Sequence, residues 1–309
     1  MLVYTLKRLI ISIGTLAVVI TCVFFLVRLA PGGPFDGERR LPPEIEKNLK
    51  AAYHLDRPVN EQFLIYCSNL LQGDLGPSFK QKDFSVAQLI NNGLPVSALL
   101  GLWALIFALA LGLLIGIFCG ANAGHPLDQI LMTVSNFNLA VPSIVSCPIL
   151  ILTFAVGLSW LPAGGASSGL HYILPSIALG LPYSGAIARL IRGSLIETNF
   201  EPHIMTAKAK GLSQSRIVIL HRLPIAIIPV LSFLGPASAS LLTGSVVVEQ
   251  IFDLPGIGRY FVQGAINKDY TLVMGVVIVY SGAILAFNLA VDLIYGLFDP
   301  RMSIQANHQ

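Results

Sequence analysis

With 309 residues, 54% apolar and only 11% charged side chains, and a mean hydropathy of +0.74, the chain carries too few ions for a soluble domain, in which roughly a quarter of residues are charged. A formal net charge of +3, with no Lys/Arg run interleaved with aromatics, gives no sign of a nucleic-acid partner. The charges it has are gathered into a few segments and leave long stretches with none. A bilayer imposes this sorting, because an ion at its centre costs about 2.5–3.5 kcal/mol.

About 20 apolar residues cross the hydrocarbon core. The first such run, Leu9 to Val27, is bracketed by Lys7 and Arg8 on one side and Arg28 on the other, and residues 1–30 read as a membrane helix. A cleaved signal sequence fits a basic start and an apolar run too, but this run is longer than a usual signal core and Pro31 follows the small-residue candidate site. Residues 31–93 read as an external subdomain. From Pro31 to Asn92 there are eight acidic and seven basic residues; Pro42-Pro43 opens a short helix over Glu44–Tyr53, and a second helix is expected over Val59–Leu71. The core, 94–299, holds five further runs: Leu94 to Ala123, Ile130 to Leu158, Tyr172 to Ala188, Ile225 to Val248 and Thr271 to Val291. A tail, 300–309, follows. The predicted fold is therefore an all-α integral membrane protein with six spans, the fourth run being the shortest at 17 residues. Pro142, Pro148, Pro175, Pro182, Pro229 and Pro236 would break soluble helices, whereas within a bilayer neighbouring helices satisfy the freed groups. Kinks with close packing and the lining of a pathway both remain open for them.

Orientation follows from basic residues in short loops. The 189–224 loop carries Arg189, Arg192, Lys208, Lys210, Arg216 and Arg222 against Glu197 and Glu201, whereas Glu249–Tyr270 has two basic and three acidic residues. The former is expected inside the cell and the latter outside. With six spans, both termini then lie in the cytoplasm.

The 189–224 loop also carries local structure. Pro202 suits the first turn of a helix, Gly211 is placed to end it, and Lys208 and Lys210 near its end complement the dipole. Ser213 then caps a second segment, Gln214–Arg222, that leads into the fifth span. Ile204 and Ala207 fall on one face. Charge alone permits two readings: an amphipathic helix lying on acidic lipid, or a compact knob for a protein partner.

Chemistry is sparse. There is no Gly-x-x-x-x-Gly-Lys-Ser/Thr phosphate loop, no Gly-x-Ser-x-Gly and no His-Glu-x-x-His, so an intramembrane hydrolase finds no nucleophile or metal pattern. His54, His125, His171, His203, His221 and His308 are scattered through loops. Cys22, Cys67, Cys119 and Cys147 have no ligand spacing. None of the six runs has Asp, Glu or His in its interior, which counts against an ion-coupled secondary transporter. The turn-rich Glu249–Arg259 stretch reads equally as a gate element or as a packed loop.

Met205-Thr206-Ala207, with Gly211 four residues beyond the alanine and Leu223-Pro224 following, resembles the EAA motif of ABC-importer permease subunits. Met205 stands where that motif has Glu, and Thr206 where it has its first Ala. Arg28-Leu-Ala-Pro-Gly-Gly-Pro, Tyr53-His-Leu-Asp-Arg-Pro58, Gly73-Asp-Leu-Gly-Pro-Ser78 and Glu249-Gln-Ile-Phe-Asp-Leu-Pro-Gly-Ile-Gly-Arg259 are similar to the B-type permease of oligopeptide importers. Phe35-Asp36-Gly37-Glu38-Arg39 and Leu41-Pro42-Pro43-Glu44 are closer to the oligopeptide type than to the dipeptide or nickel types. The resemblance implies the type I ABC-importer permease fold in a bacterial inner membrane. It also implies a heterodimer with a second homologous permease, two cytoplasmic ATPases, an external peptide-binding protein and a peptide substrate, and no cofactor in this chain. Met205, Thr206, Ala207, Lys208, Ala209, Lys210, Gly211 and Leu212, with Leu223 and Pro224, are then the expected ATPase-coupling residues. ATP hydrolysis belongs to the partners.

Overall fold

The computed structural model describes residues 2–29, 55–81, 84–242 and 245–298. In chain order the helices are α1 (Leu2–Leu29), α2 (Val59–Leu71), α3 (Val86–Ala121), α4 (Pro126–Ala140), α5 (Ser143–Leu150), α6 (Ile173–Thr198), α7 (Pro202–Ala209), α8 (Gln214–Ile217), α9 (Leu223–Ala226), α10 (Ile228–Leu242), α11 (Val246–Ile251), α12 (Ile257–Ile266) and α13 (Tyr270–Phe298). Among the described residues the only strand-like pairing is one bridge, Pro77 to Ser85. The predicted Glu44–Tyr53 helix lies outside the described residues; Val59–Leu71 forms as expected.

Among the described residues five helices are long and apolar enough to cross a membrane: Thr5–Leu29, Val86–Ala121, Gly169–Thr198, Ile228–Ile251 and Tyr270–Ala290. A bent helix pair brings the number to six if it is counted as one span. The expected single run Ile130 to Leu158 is two helical stretches, Pro126–Ala140 and Ser143–Gly157, bent by 110°. The cause is local. Val141 precedes Pro142, is pushed into extended backbone (φ −81°, ψ 116°), and so ends α4. Beyond α5 the chain widens into a π-helical stretch over Ile151–Gly157, after Pro148. The fourth span is also longer than expected: it does not stop at Ala188 but runs to Thr198, so Arg189, Arg192 and Glu197 are helical. The fifth, Ile225 to Val248, is divided among α9, α10 and α11.

The chain forms two units. One comprises Leu2–Val96 and Pro255–Leu285. In it Phe24, Tyr66, Met274 and Ile278 make one buried cluster, and Val86, Leu89, Ile90, Ile257, Leu272 and Val276 another. Its polar anchors come from the sequence motifs. Arg28 stacks on the Phe24 ring at 3.4 Å and donates Nε–H to Gln62 Oε1 at 3.0 Å, while Gln62 Nε2 donates to the Arg57 carbonyl at 2.9 Å. Buried Asp269 accepts from Ser78 Oγ and from Leu272 N at the start of α13, and Thr271 Oγ1 donates to Pro77 O at 2.6 Å. The Gly73–Ser78 motif is thus bound to the first turn of α13.

The other unit comprises Ser97–Leu254 and the segment from Ala286 onward. Its centre is α6, whose buried stripe Ile187, Ile191, Leu195 follows the i, i+4 spacing of a helix face. Against it lies α3, where Gly112, Gly116 and Gly120 recur every four residues. A Cβ on Gly112 would sit 2.7 Å from Ile187 Cβ, one on Gly116 2.8 Å from Ile191 Cβ, and one on Gly120 2.7 Å from Leu195 Cβ. Small residues at this spacing let membrane helices approach closely, and lipid offers no hydrophobic drive to replace the lost contact. On its other side α6 meets α4, with a Cβ on Gly185 only 2.5 Å from Ser135 O. The same helix pair shares an ion pair: Arg192 donates Nε–H to Asp128 Oδ1 at 2.6 Å and Nη2–H to Oδ2 at 2.8 Å. Asp128 is fully buried in the first turn of α4, where the dipole favours an anion, and Gly124 N donates to it at 2.9 Å.

Two consequences are measurable in detergent. Gly116→Val overfills the seam and should destabilise the protein by about 1–3 kcal/mol, read as a lower thermal midpoint. Gly14→Val, where a Cβ would meet nothing within 4 Å, should leave the midpoint in place. Removing one partner of a buried ion pair costs about 3–5 kcal/mol, less where the other is partly exposed as Arg192 is. Asp128→Ala should therefore lower the midpoint clearly, and adding Arg192→Ala to it should lower it little further; additive losses would mean that the two side chains act independently.

Candidate functional site

The segment from Asn199 to Ala226 is built as the sequence suggests, with two departures. Pro202 occupies the first turn of α7 and Glu201 precedes it in extended backbone. The helix ends at Gly211, whose φ of +75° lies in the left-handed region that a residue with a Cβ resists. Gly211 N donates to Lys208 O at 2.9 Å and Leu212 N to Ala207 O at 3.3 Å, the paired bonds of a Schellman stop. Leu212 then packs on the buried trio Ile204, Ala207 and Ile217. Two short helices are thereby fixed to each other by a small core of their own.

The departures lie beyond Gly211. Ser213 stands at the start of α8, but its hydroxyl makes no capping bond. The expected Gln214–Arg222 helix is not uniform: it is α-helical only to Ile217, then opens into a π-helical turn over Val218–Arg222 before α9. Pro224 supplies the reason. It has no N–H for the carbonyl four residues back and its ring crowds that carbonyl, so the turn before it widens. Val218 and Arg222 face inward while Ile219 and Leu220 stay exposed.

The expected coupling residues divide by exposure. Met205 (61% exposed), Thr206, Lys208, Ala209, Lys210 and Gly211 form the open face of the knob, while Ala207 is buried. Leu223 is half-buried and packs against the α6 core, and Pro224 is exposed. Thr206 Oγ1 donates back to Pro202 O at 3.0 Å, and Lys208 Nζ to Asn199 Oδ1 at 2.9 Å. Asn199 caps the C-terminus of α6. Arg222, 2% exposed, donates Nη2–H to the carbonyl oxygen of Leu195, in the last turn of α6. Burial lowers its pKa below the ordinary guanidinium value.

By sequence Arg192 and Arg222 are alike, two cations of one basic loop. The structure separates their roles: Arg192 is a helix residue paired to Asp128, and Arg222 is a buried link to α6. Asp128, Asn199 and Leu195 were not singled out. Asp128 is the acidic residue in the first turn after Pro126, the one local signal available; its partner lies 64 positions away.

Among the described residues no cluster of three His, Cys, Asp or Glu side chains can hold a metal. A cavity of about 500 Å³ is lined by Trp103, Ile106, Phe107, Tyr172, Ser176 and neighbouring apolar residues, with no carboxylate, imidazole, amine or guanidinium among them. In the Glu249–Arg259 stretch Glu249, Phe252, Leu254 and Ile257 are buried, and Phe252 O accepts from Gly165 N at 2.8 Å.

The family described as the binding-protein-dependent transport system inner membrane component matches residues 112–304. The chain is 46% identical over 304 residues to the oligopeptide transport system permease protein OppB of Haemophilus influenzae, covering 98% of this chain and 99% of that protein. It is 44% identical over the same length to the OppB protein of Escherichia coli strain K12. Against the dipeptide transport system permease protein DppB of Bacillus subtilis, identity is 38% over 301 residues, 97% of this chain and 98% of that one. Among solved structures, the inward-facing MetNI methionine ABC transporter is similar in fold, with a TM-score of 0.53 at 19% identity over 67% of this chain and 95% of that chain. The all-helical type I importer permease fold expected from the sequence is thereby supported, and the chain belongs to the family of binding-protein-dependent transport system inner membrane components.

Proposed function

We propose that this chain is one of two permease subunits of an ATP-driven oligopeptide importer in a bacterial inner membrane. The observation that carries the reading is near-complete alignment at 44–46% identity with proteins named as oligopeptide permeases, against 38% for a dipeptide one. A second, homologous permease completes the pathway, an external binding protein delivers the peptide, and two cytoplasmic ATPases supply the work. The segment Met205–Leu212, with Leu223-Pro224 behind it, docks on one of those ATPases and carries its motion into the membrane. Its construction supports this reading: an exposed face on a knob with its own core and a fixed helix stop moves as a body. The basic balance of 189–224 supports a cytoplasmic position for that knob and for both termini. Residues 31–93 then form the external face.

Reconstituted with its second permease, ATPases and binding protein, the protein should import labelled oligopeptide only with ATP inside reach of the ATPases. Gly211→Val places a β-branched residue in left-handed backbone at a cost of about 1–2 kcal/mol, enough to depopulate the stopped helix roughly tenfold. Peptide uptake should fall by a similar factor while membrane insertion is unchanged; wild-type uptake in that variant would count against the docking assignment. Orientation has its own check. With the four native cysteines replaced by serine, a cysteine at Lys210 should react with an impermeant thiol reagent only after the inner face is exposed.

A further inference from the structure

Among the described residues Arg222 is the buried basic side chain, and its surroundings are poor for a cation. Val218, four residues back, is buried as well, and among the described residues Arg222 pairs with no carboxylate and its Nε–H meets no acceptor. A guanidinium so placed is costly, and an apolar side chain of similar size would normally serve packing as well. What the cation gains is one acceptor. Leu195 O belongs to the last turn of α6, where the dipole is negative; it also accepts from Thr198 Oγ1 at 3.0 Å, so the guanidinium takes the second lone pair of that oxygen.

That acceptor is well placed mechanically. The bond lands on main chain, so no side-chain torsion of α6 intervenes between Arg222 and the helix. Leu195 itself is fully buried, and its Cβ fills the notch at Gly120 of α3. One turn earlier Arg192 holds Asp128 of α4. Arg222 therefore reaches, through a single carbonyl, the point where α6 is locked to α3 and, a turn away, to α4. On its own side it follows Ile217 by five residues, and Ile217 is part of the core that fixes α7 to α8. The π-helical turn supplies the geometry, turning Val218 and Arg222 inward together.

We propose that Arg222 is a positioning residue for transport: its guanidinium joins the knob to α6, so that displacement of α7 is delivered to α6 and, through the Leu195–Gly120 contact, to α3. The inference rests on the reading of Met205–Leu212 as the ATPase-docking segment. Without the link, the knob still docks and the ATPases still turn over, but the membrane helices follow less faithfully.

The test uses the complete reconstituted importer and reads the peptide imported per ATP hydrolysed, alongside co-purification of the ATPases. Arg222→Met should keep the ATPases bound and hydrolysing while the ratio falls about tenfold, the scale of one charge-assisted hydrogen bond. Arg222→Lys, which keeps a cationic donor, should recover most of it. Should Arg222→Met fail to assemble, Arg222→Gln is read on the same ratio, and a fall of similar sense is expected. An unchanged ratio in the neutral variant, or a Lys variant no better than Met, overturns the proposal. If the wild-type complex itself shows no ATP-dependent import, the functional reading falls and this inference with it; a coupled wild type with an indifferent Arg222 sinks the inference alone.

Discussion

Close approach between helices in lipid is won by shape, because hydrocarbon solvates a leucine as well as another helix does. The Gly112-Gly116-Gly120 seam of α3 is the plainest consequence in this protein. Each glycine removes the one atom that would hold α6 off, and Ile187, Ile191 and Leu195 fill the space. The rest of this unit is arranged around that contact. Gly180 meets Ala104 O with the same economy, and Gly185 meets Ser135 O on the α4 side, so α6 is gripped from two directions.

Ions enter this framework only where the backbone already offers an electrostatic partner. Asp128 sits at the positive end of α4, and Arg192 answers it from α6 with two short bonds. Arg222 and Lys208 meet groups at the negative end of α6, on Leu195 O and Asn199. The two are unequal. Lys208 is exposed, and a hydrogen bond at that surface is weakened by water. Arg222 is buried, so its bond is strong and its desolvation severe. In the other unit the same logic places Asp269 at the start of α13, where Ser78 and the amide of Leu272 both donate to it.

Much of this was legible in the residues. Six apolar runs marked the spans, Gly211 marked the helix stop, and Ile204 with Ala207 marked the buried face of the knob, because each rests on a local rule of length, φ or periodicity. Three features were not. The break of the third span depended on Val141 and Pro142, and proline in a membrane helix has two outcomes, a kink or a stop, that neighbours decide. The fourth span overran its apolar limit because Arg192 finds Asp128, a pairing invisible to any window along the chain. Arg222 counted as one more loop cation, since burial is a property of what surrounds it. Gly112, Gly116 and Gly120 carry a periodic signal in the sequence itself, the four-residue spacing of a close helix contact.

The chain belongs to a family of transport-system inner membrane components, and its described polar groups serve mainly to join helices. The cavity at Trp103, Phe107 and Tyr172 is lined mainly by apolar groups, while Asp128 and Asp269 are engaged in holding helices. Under the proposed coupling role, work done by an ATPase would enter through a surface that does not deform under load. A lone amphipathic helix on lipid would slide or fray at its ends, where four N–H and four C=O groups lack partners. The knob avoids this: a Schellman stop closes α7, the Ile204–Ala207–Ile217 core joins it to α8, and Arg222 carries the connection to the main chain of α6. A push on Met205 or Lys210 thus meets a short, bonded path into the glycine seam. The exposed face is left free for a partner, since Ile204 and Ala207, on the opposite face, hold the shape without it.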